Sequence, residues 1–169
     1  MDALRRLNEQ PATEAREELL RCCGSSRWAE AMTARRPFAD ERALYAAAED
    51  VWWTLGEADW REAFAHHPKI GDKEALRARF ASTRTWAAGE QSGVASATED
   101  VLTALAEGNQ TYEDRFGYIF IVCATGRTAP EMLARLRERL PHSPPEEIRI
   151  AAGEQAKITR LRLEKLLAS

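Results

Sequence analysis

The sequence predicts an all-α fold, a single compact multi-helix domain spanning residues 1–169. Three observations carry that prediction. Apolar residues recur at helical rather than alternating spacing through most of the chain. Capping residues stand ahead of these stretches, and glycines follow several of them. Only one segment has the composition of a strand, and no second candidate exists to pair with it.

In chain order, Thr13 is placed to cap a helix from Glu14 to Cys23, which Gly24 stops. Asp40 caps the next long helix, whose inner face is Leu44, Ala47, Ala48, Val51, Trp52 and Leu55, with Gly56 behind it. Asp59 stands before a short helix from Trp60 to Ala65, and Asp72 before another from Lys73 to Phe80. Residues 81–97 lack clear periodicity and read as a loop-rich insertion with room for a short helix. Thr98 starts a helix with Val101, Leu102 and Leu105 inward. Thr128 with Glu131, and Ser143 with Glu146, have capping-box spacing. Pro144 takes a first helical position, where its missing N–H costs little. The strand-like segment is 116–124, rich in aromatic and β-branched residues. Without a partner, a strand there would leave its backbone groups unmet, so a buried helix is the better expectation.

With 24 basic and 27 acidic residues the net charge is −3, and no basic block stands out, so nucleic acid is not an expected partner. No apolar run approaches the roughly 20 residues that span a bilayer, so no membrane association is expected. The first residues lack the apolar stretch of a secretion signal, and the last are not a peroxisomal address. The cysteines are Cys22, Cys23 and Cys123, an odd count with a vicinal pair that points to a reducing compartment. A cytoplasmic protein is expected, with structural cysteines. Trp52 and Trp53 read as core rather than as a cofactor-stacking pair.

Three places could carry chemistry. His66 and His67 precede Pro68, which disfavours a helical conformation at His67 and should end the helix there. Imidazole suits proton transfer near neutrality; the alternative is that both histidines merely end a helix. Adjacent histidines seldom converge on one ion, and no His-x-x-x-His pair exists, so no metal is expected. Glu90 and Gln91 lie between Gly89 and Gly93, either aimed into a pocket or on a solvated loop. On a helical wheel of the last helix, Ile148, Ala151, Ile158 and Leu166 share a sector. Arg149, Glu154, Lys157, Arg160, Glu164 and Lys165 fall outside it, and Arg162 falls inside. An inward guanidinium needs an anion or several acceptors. A bound ligand, an internal ion pair and a snorkelling stem all satisfy that need.

Taken together, these segments resemble the family of decarboxylases acting on 2-oxo-4-hydroxy-4-carboxy-5-ureidoimidazoline (OHCU). The resemblance runs nearly end to end. It covers Cys22-Cys23-Gly24-Ser25 with Trp28 and Met32, Arg36-Pro37-Phe38, Trp53, Ala63-Phe64 and His67-Pro68-Lys69-Ile70-Gly71. It continues through Glu90-Gln91, Asn109 with Tyr112, Phe116 to Phe120, Ala124 to Arg127, and Ile158 to Leu163. The resemblance implies an all-helical fold and selects His67 over His66 as the catalytic histidine. It implies Glu90 as a catalytic and substrate-binding glutamate. Pro68, Phe120, Ile121 and Arg162 are implied as substrate contacts, through the main chain at Phe120 and Ile121. Where the family often has serine three residues before the glutamate, this chain has Ala87.

The implied reaction converts a small ureidoimidazoline to (S)-allantoin and CO₂ during uric acid degradation. The carboxylate leaves a carbon next to a ring imine. That ring accepts the electron pair, so no cofactor is implied. A homodimer is the assembly the resemblance implies. Two other readings stand on the residues alone: a helical interaction module, and another cofactor-free lyase or hydrolase of a related heterocycle.

Overall fold

The structure, a computed structural model, describes the backbone of residues 2–68, 73–80 and 92–169. Its helices are α1 (Ala3–Glu9), α2 (Ala12–Cys22), α3 (Ser26–Ala34), α4 (Glu41–Thr54) and α5 (Glu57–Ala65). They continue with α6 (Lys73–Phe80), α7 (Ser92–Phe116), α8 (Ala129–Arg139) and α9 (Pro144–Ala168). No strand occurs among the described residues, and the all-α expectation holds. None of these helices is long and apolar enough to cross a membrane.

The chain divides into two compact units. The first comprises Met1–His67 and Ile150–Ser169, and the second Pro68–Arg149. In the first unit, α3 packs against α2, α4 and α5. Trp28, Ala29 and Met32 occupy one face of α3 and are wholly buried. An indole excludes much water, but its N–H must still find an acceptor. All three buried tryptophans of this unit do so on backbone carbonyls. Trp28 donates to Ala48 at 3.2 Å, Trp52 to Ala152 at 2.9 Å and Trp60 to Trp52 at 3.2 Å. These bonds fix α3, α5 and α9 against α4 by direction as well as by apolar burial. Trp53 departs from the expected core role. It is 43% exposed, its ring edge-on to Trp60 and its N–H bonded to Glu49 at 2.8 Å.

Local signals placed several helix starts. Asp40 accepts from the Ala43 N–H at 2.8 Å, and the Thr128–Glu131 box forms as expected. At Ser143 the hydroxyl accepts from the Glu146 N–H at 3.4 Å and donates to the Glu146 carboxylate at 2.9 Å, without the reciprocal backbone bond of a full box. Two expected caps differ. The residue preceding α2 is Pro11, so Thr13 lies inside the first turn. Helix α5 begins at Glu57, so Asp59 sits in its first turn, reaching back to the Gly56 N–H at 3.4 Å. The helix expected from Thr98 begins at Ser92.

In the second unit, α7 packs on α6 and α8. Leu102, Leu105, Tyr112, Leu136 and Met132 form its interior. The helix expected over 116–124 is not formed. Gly117 has φ +83°, a left-handed conformation that glycine adopts without a Cβ penalty, and α7 stops there. Beyond it the chain runs irregularly to Thr128. Its carbonyls find side-chain donors instead of a helical ladder. Arg139 Nη1 donates to Ile121 O at 2.7 Å, and Arg127 Nε to Cys123 O at 3.1 Å. The obligation to pair buried backbone groups is met by a route that local sequence does not show.

Candidate active site

Helix α5 carries the candidate histidine and is anchored at several points. Ala63 and Phe64 are buried, and Glu62 accepts from both the Ser26 N–H (3.1 Å) and the Ser26 hydroxyl (2.7 Å). These bonds tie α5 to the start of α3, where Ser25 caps the helix through the Trp28 N–H. As Pro68 implies, α5 does not continue past the histidines. His66 is its C-cap, and the His67 N–H bonds Phe64 O at 3.2 Å in a final turn.

Gly24 makes that turn fit. A Cβ on Gly24 would stand 2.3 Å from His66 Cγ and 2.4 Å from its Cβ. Gly24→Ala is therefore expected to displace the His66–His67 turn and to destabilise the protein by about 1–3 kcal/mol, the usual range for overpacking. Urea unfolding of the variant checks this; an unchanged midpoint would contradict the close packing.

Helix α9 supplies the other side. Gln155, Thr159 and Arg162 are four and three residues apart, so they lie on one helical face. His67 Nε2 meets Gln155 Oε1 at 2.5 Å. Gln155 Nε2 donates to Thr159 Oγ1 at 3.0 Å. On the imidazole's other nitrogen, Arg162 Nη2 lies 3.5 Å from His67 Nδ1. His67 and Arg162, distant in sequence, are thus brought together, and both are half-buried. Arg162 forms no ion pair with a carboxylate among the described residues. The internal ion pair left open by the helical wheel is therefore not formed there.

The wheel itself needs one correction. Glu154 is 3% exposed rather than outward, and accepts from Lys157 Nζ at 2.6 Å. Leu163 is the fully buried residue of the last turns, while Ile158 and Leu166 are half-buried.

Burial pushes the His67 pKa below 6.5; the Gln155 hydrogen bond opposes this, and nearby Arg162 and His66 add to it. The imidazole is therefore neutral at pH 7, with one nitrogen available as a base. The unfolded chain takes up the proton more readily than the folded protein. Stability consequently rises with pH between the lowered value and 6.5, and is lost as pH falls through that window. If His67 is the essential base, kcat/KM of the free enzyme should fall on the acid side with an apparent pKa below 6.5. A pH–rate profile tests this, and an acid limb above 6.5 would contradict it.

Cys22 and Cys23 are buried, and burial raises both thiols to about 11. Neither is a ready nucleophile, in keeping with a structural role. Among the described residues no group of three His, Cys, Asp or Glu side chains is placed to hold a metal ion.

Of the remaining sequence candidates, Pro68 directly follows His67 and is exposed. Phe120 and Ile121 belong to the irregular segment of the second unit. There the Arg139 guanidinium lies 4.5 Å from the Phe120 ring centroid. Glu90 and Ala87 lie outside the described residues, as does the side chain of Ser92. Sequence reasoning missed Gln155 and Thr159. Their signal was a pair of polar residues on the Arg162 face, but neither carries a charge to draw attention.

Comparison with known proteins places this geometry in context. Residues 8–164 match the family model described as OHCU decarboxylase. The chain is 40% identical over 148 residues to the uric acid degradation bifunctional protein TTL of Arabidopsis thaliana, covering 87% of this chain and 45% of that protein. The chain thus spans about half the length of that relative. It is 31% identical over 147 residues to the 2-oxo-4-hydroxy-4-carboxy-5-ureidoimidazoline decarboxylase of Amia calva, covering 82% of this chain and 79% of the relative. Among solved structures, an OHCU decarboxylase crystallised in the presence of (S)-allantoin superposes with a TM-score of 0.71 at 38% identity, over 90% of this chain and 99% of that one.

Proposed function

This chain belongs to the OHCU decarboxylase family, and from that premise we propose that it converts 2-oxo-4-hydroxy-4-carboxy-5-ureidoimidazoline to (S)-allantoin and CO₂. The observation that carries the proposal to particular residues is the 3.5 Å approach of the Arg162 guanidinium to His67 Nδ1. A neutral base and an anion receptor stand side by side, as an acid with an adjacent hydroxyl requires.

The substrate supplies its own electron sink. As the bond to the carboxylate breaks, its electron pair enters the ring, and the imine nitrogen takes up a proton. The resulting ene-ol then loses its hydroxyl proton while the neighbouring ring carbon gains one. That step restores a carbonyl and sets the S centre. Arg162 grips carboxylate or carbonyl oxygens through paired, charge-assisted hydrogen bonds. His67 handles the proton at the hydroxyl-bearing carbon. Glu90 steadies the imidazole or binds ring and ureido N–H groups. Pro68 and the main chain at Phe120 and Ile121 add substrate contacts. Positioned acid–base groups contribute about 10²–10⁴-fold, and orientation with exclusion of water supplies the rest.

The proposal treats residues 1–169 as one catalytic domain working in the cytoplasm as a homodimer. It is tested with substrate carrying ¹³C in its carboxylate. Release of labelled CO₂ well above the uncatalysed rate supports it; release at the uncatalysed rate contradicts it. Sedimentation of the active protein tests the dimer, and a monomer mass would exclude it.

A further inference from the structure

Imidazole can carry its single neutral-state proton on either nitrogen, and the nitrogen left bare is the base. We propose that Gln155 is a positioning residue that holds the proton on His67 Nε2 and leaves Nδ1, beside Arg162, as the basic atom. This rests on the reading of His67 as the proton-transfer group, and extends it to a residue that never touches substrate.

The observations form a chain of hydrogen bonds with one sense. Gln155 and Thr159 are both buried, so each polar atom needs a partner within the protein. The Thr159 hydroxyl oxygen accepts from Gln155 Nε2 at 3.0 Å. With the amide nitrogen so committed, the amide oxygen is the end that faces His67 Nε2 at 2.5 Å. An amide oxygen only accepts, so Nε2 must carry the hydrogen. On the opposite edge, Arg162 Nη2 presents only donors to Nδ1 at 3.5 Å, which suits a lone pair and not an N–H.

The neutrality of glutamine matters as much as its geometry. A carboxylate at this position would fix the same tautomer but would also stabilise the imidazolium. An amide fixes the tautomer while burial, Arg162 and His66 keep the ring neutral. His67 can then accept a hydroxyl proton at Nδ1, on the side where a carboxylate bound to Arg162 would lie.

The test is long-range ¹⁵N–¹H NMR of protein with ¹⁵N-labelled histidine, taken without substrate near pH 7. The chain has three histidines, and the His67 signals are those lost in His67→Asn. The expected result is a protonated Nε2 and a bare Nδ1 in the wild type. Gln155→Leu should shift the ring toward a mixture of tautomers and lower kcat by about 10–100-fold, with KM changing far less. Gln155→Glu should keep the tautomer and move the acid limb of the pH profile upward by about one unit or more. A wild-type proton on Nδ1 would overturn the proposal. So would a Gln155→Leu variant that retains both tautomer and kcat, or a Gln155→Glu variant with an unmoved acid limb. Should Gln155→Leu fail to fold, the wild-type tautomer and the Gln155→Glu profile still decide. The NMR result is read on the free protein, so it stands apart from whether this chain decarboxylates the proposed substrate.

Discussion

His67→Asn is expected to lower turnover by about 10²–10⁴-fold while far-UV circular dichroism and the urea midpoint stay near those of the wild type. The size follows from the work assigned to the ring. A positioned imidazole moves the hydroxyl proton, and asparagine cannot act as a base near neutrality. The intact fold follows from the surroundings. His67 is only half-buried and follows a helix anchored by Phe64 and by the Glu62–Ser26 bonds. An asparagine N–H can still donate toward Gln155, so the buried amide is not left without a partner. Turnover within a few-fold of wild type would remove His67 from the chemistry. A large loss of stability would mean that its role is structural.

The second large effect is expected in the second unit. Glu147→Ala should destabilise the protein by about 3–5 kcal/mol, the range for removing one partner of a buried ion pair. The Arg139 and Glu147 side chains are 1% and 0% exposed. Glu147 Oε2 accepts from Arg139 Nε at 2.9 Å and Nη2 at 2.6 Å, and also from the Tyr112 hydroxyl. His142 Nδ1 lies 3.1 Å from its other oxygen. Alanine would strand a desolvated guanidinium and a buried hydroxyl together. For a chain of this size the cost corresponds to a melting temperature lower by roughly 6–20 °C. Because Arg139 also holds the Ile121 carbonyl, the irregular segment 117–128 should lose order with it. Replacing both partners, Arg139→Met with Glu147→Leu, should recover much of the stability by removing the stranded charge. It should not restore the Ile121 contact. A Glu147→Ala variant melting within about 2 °C of wild type would show that the pair contributes little.

These two sites also mark what sequence alone reveals. Helix starts at Asp40, Thr128 and Ser143 were legible because a cap and its N–H lie within three residues of each other. The end of α5 near His67 was legible because proline constrains its neighbour directly. Arg162 was legible as a charge on an apolar face. Segment 116–124 was misjudged because its composition says only that it is buried. What decides its conformation is the left-handed turn at Gly117 and an arginine 18 residues beyond Ile121. Gln155 escaped notice for a related reason. An uncharged amide on a helix is unremarked until the fold brings it to a histidine 88 positions away. Glu154 was assigned to solvent by periodicity, yet it is buried, with Lys157 donating to its carboxylate.

This chain is expected to turn OHCU into one enantiomer of allantoin using His67. The most direct measurement generates the unstable substrate from urate and follows circular dichroism in its presence, with wild type and His67→Asn side by side. Rapid growth of the (S)-allantoin signal is expected with the wild type, and with the variant a slow time course close to that without enzyme. A racemic product with the wild type, or the same rapid S signal from the variant, would contradict it.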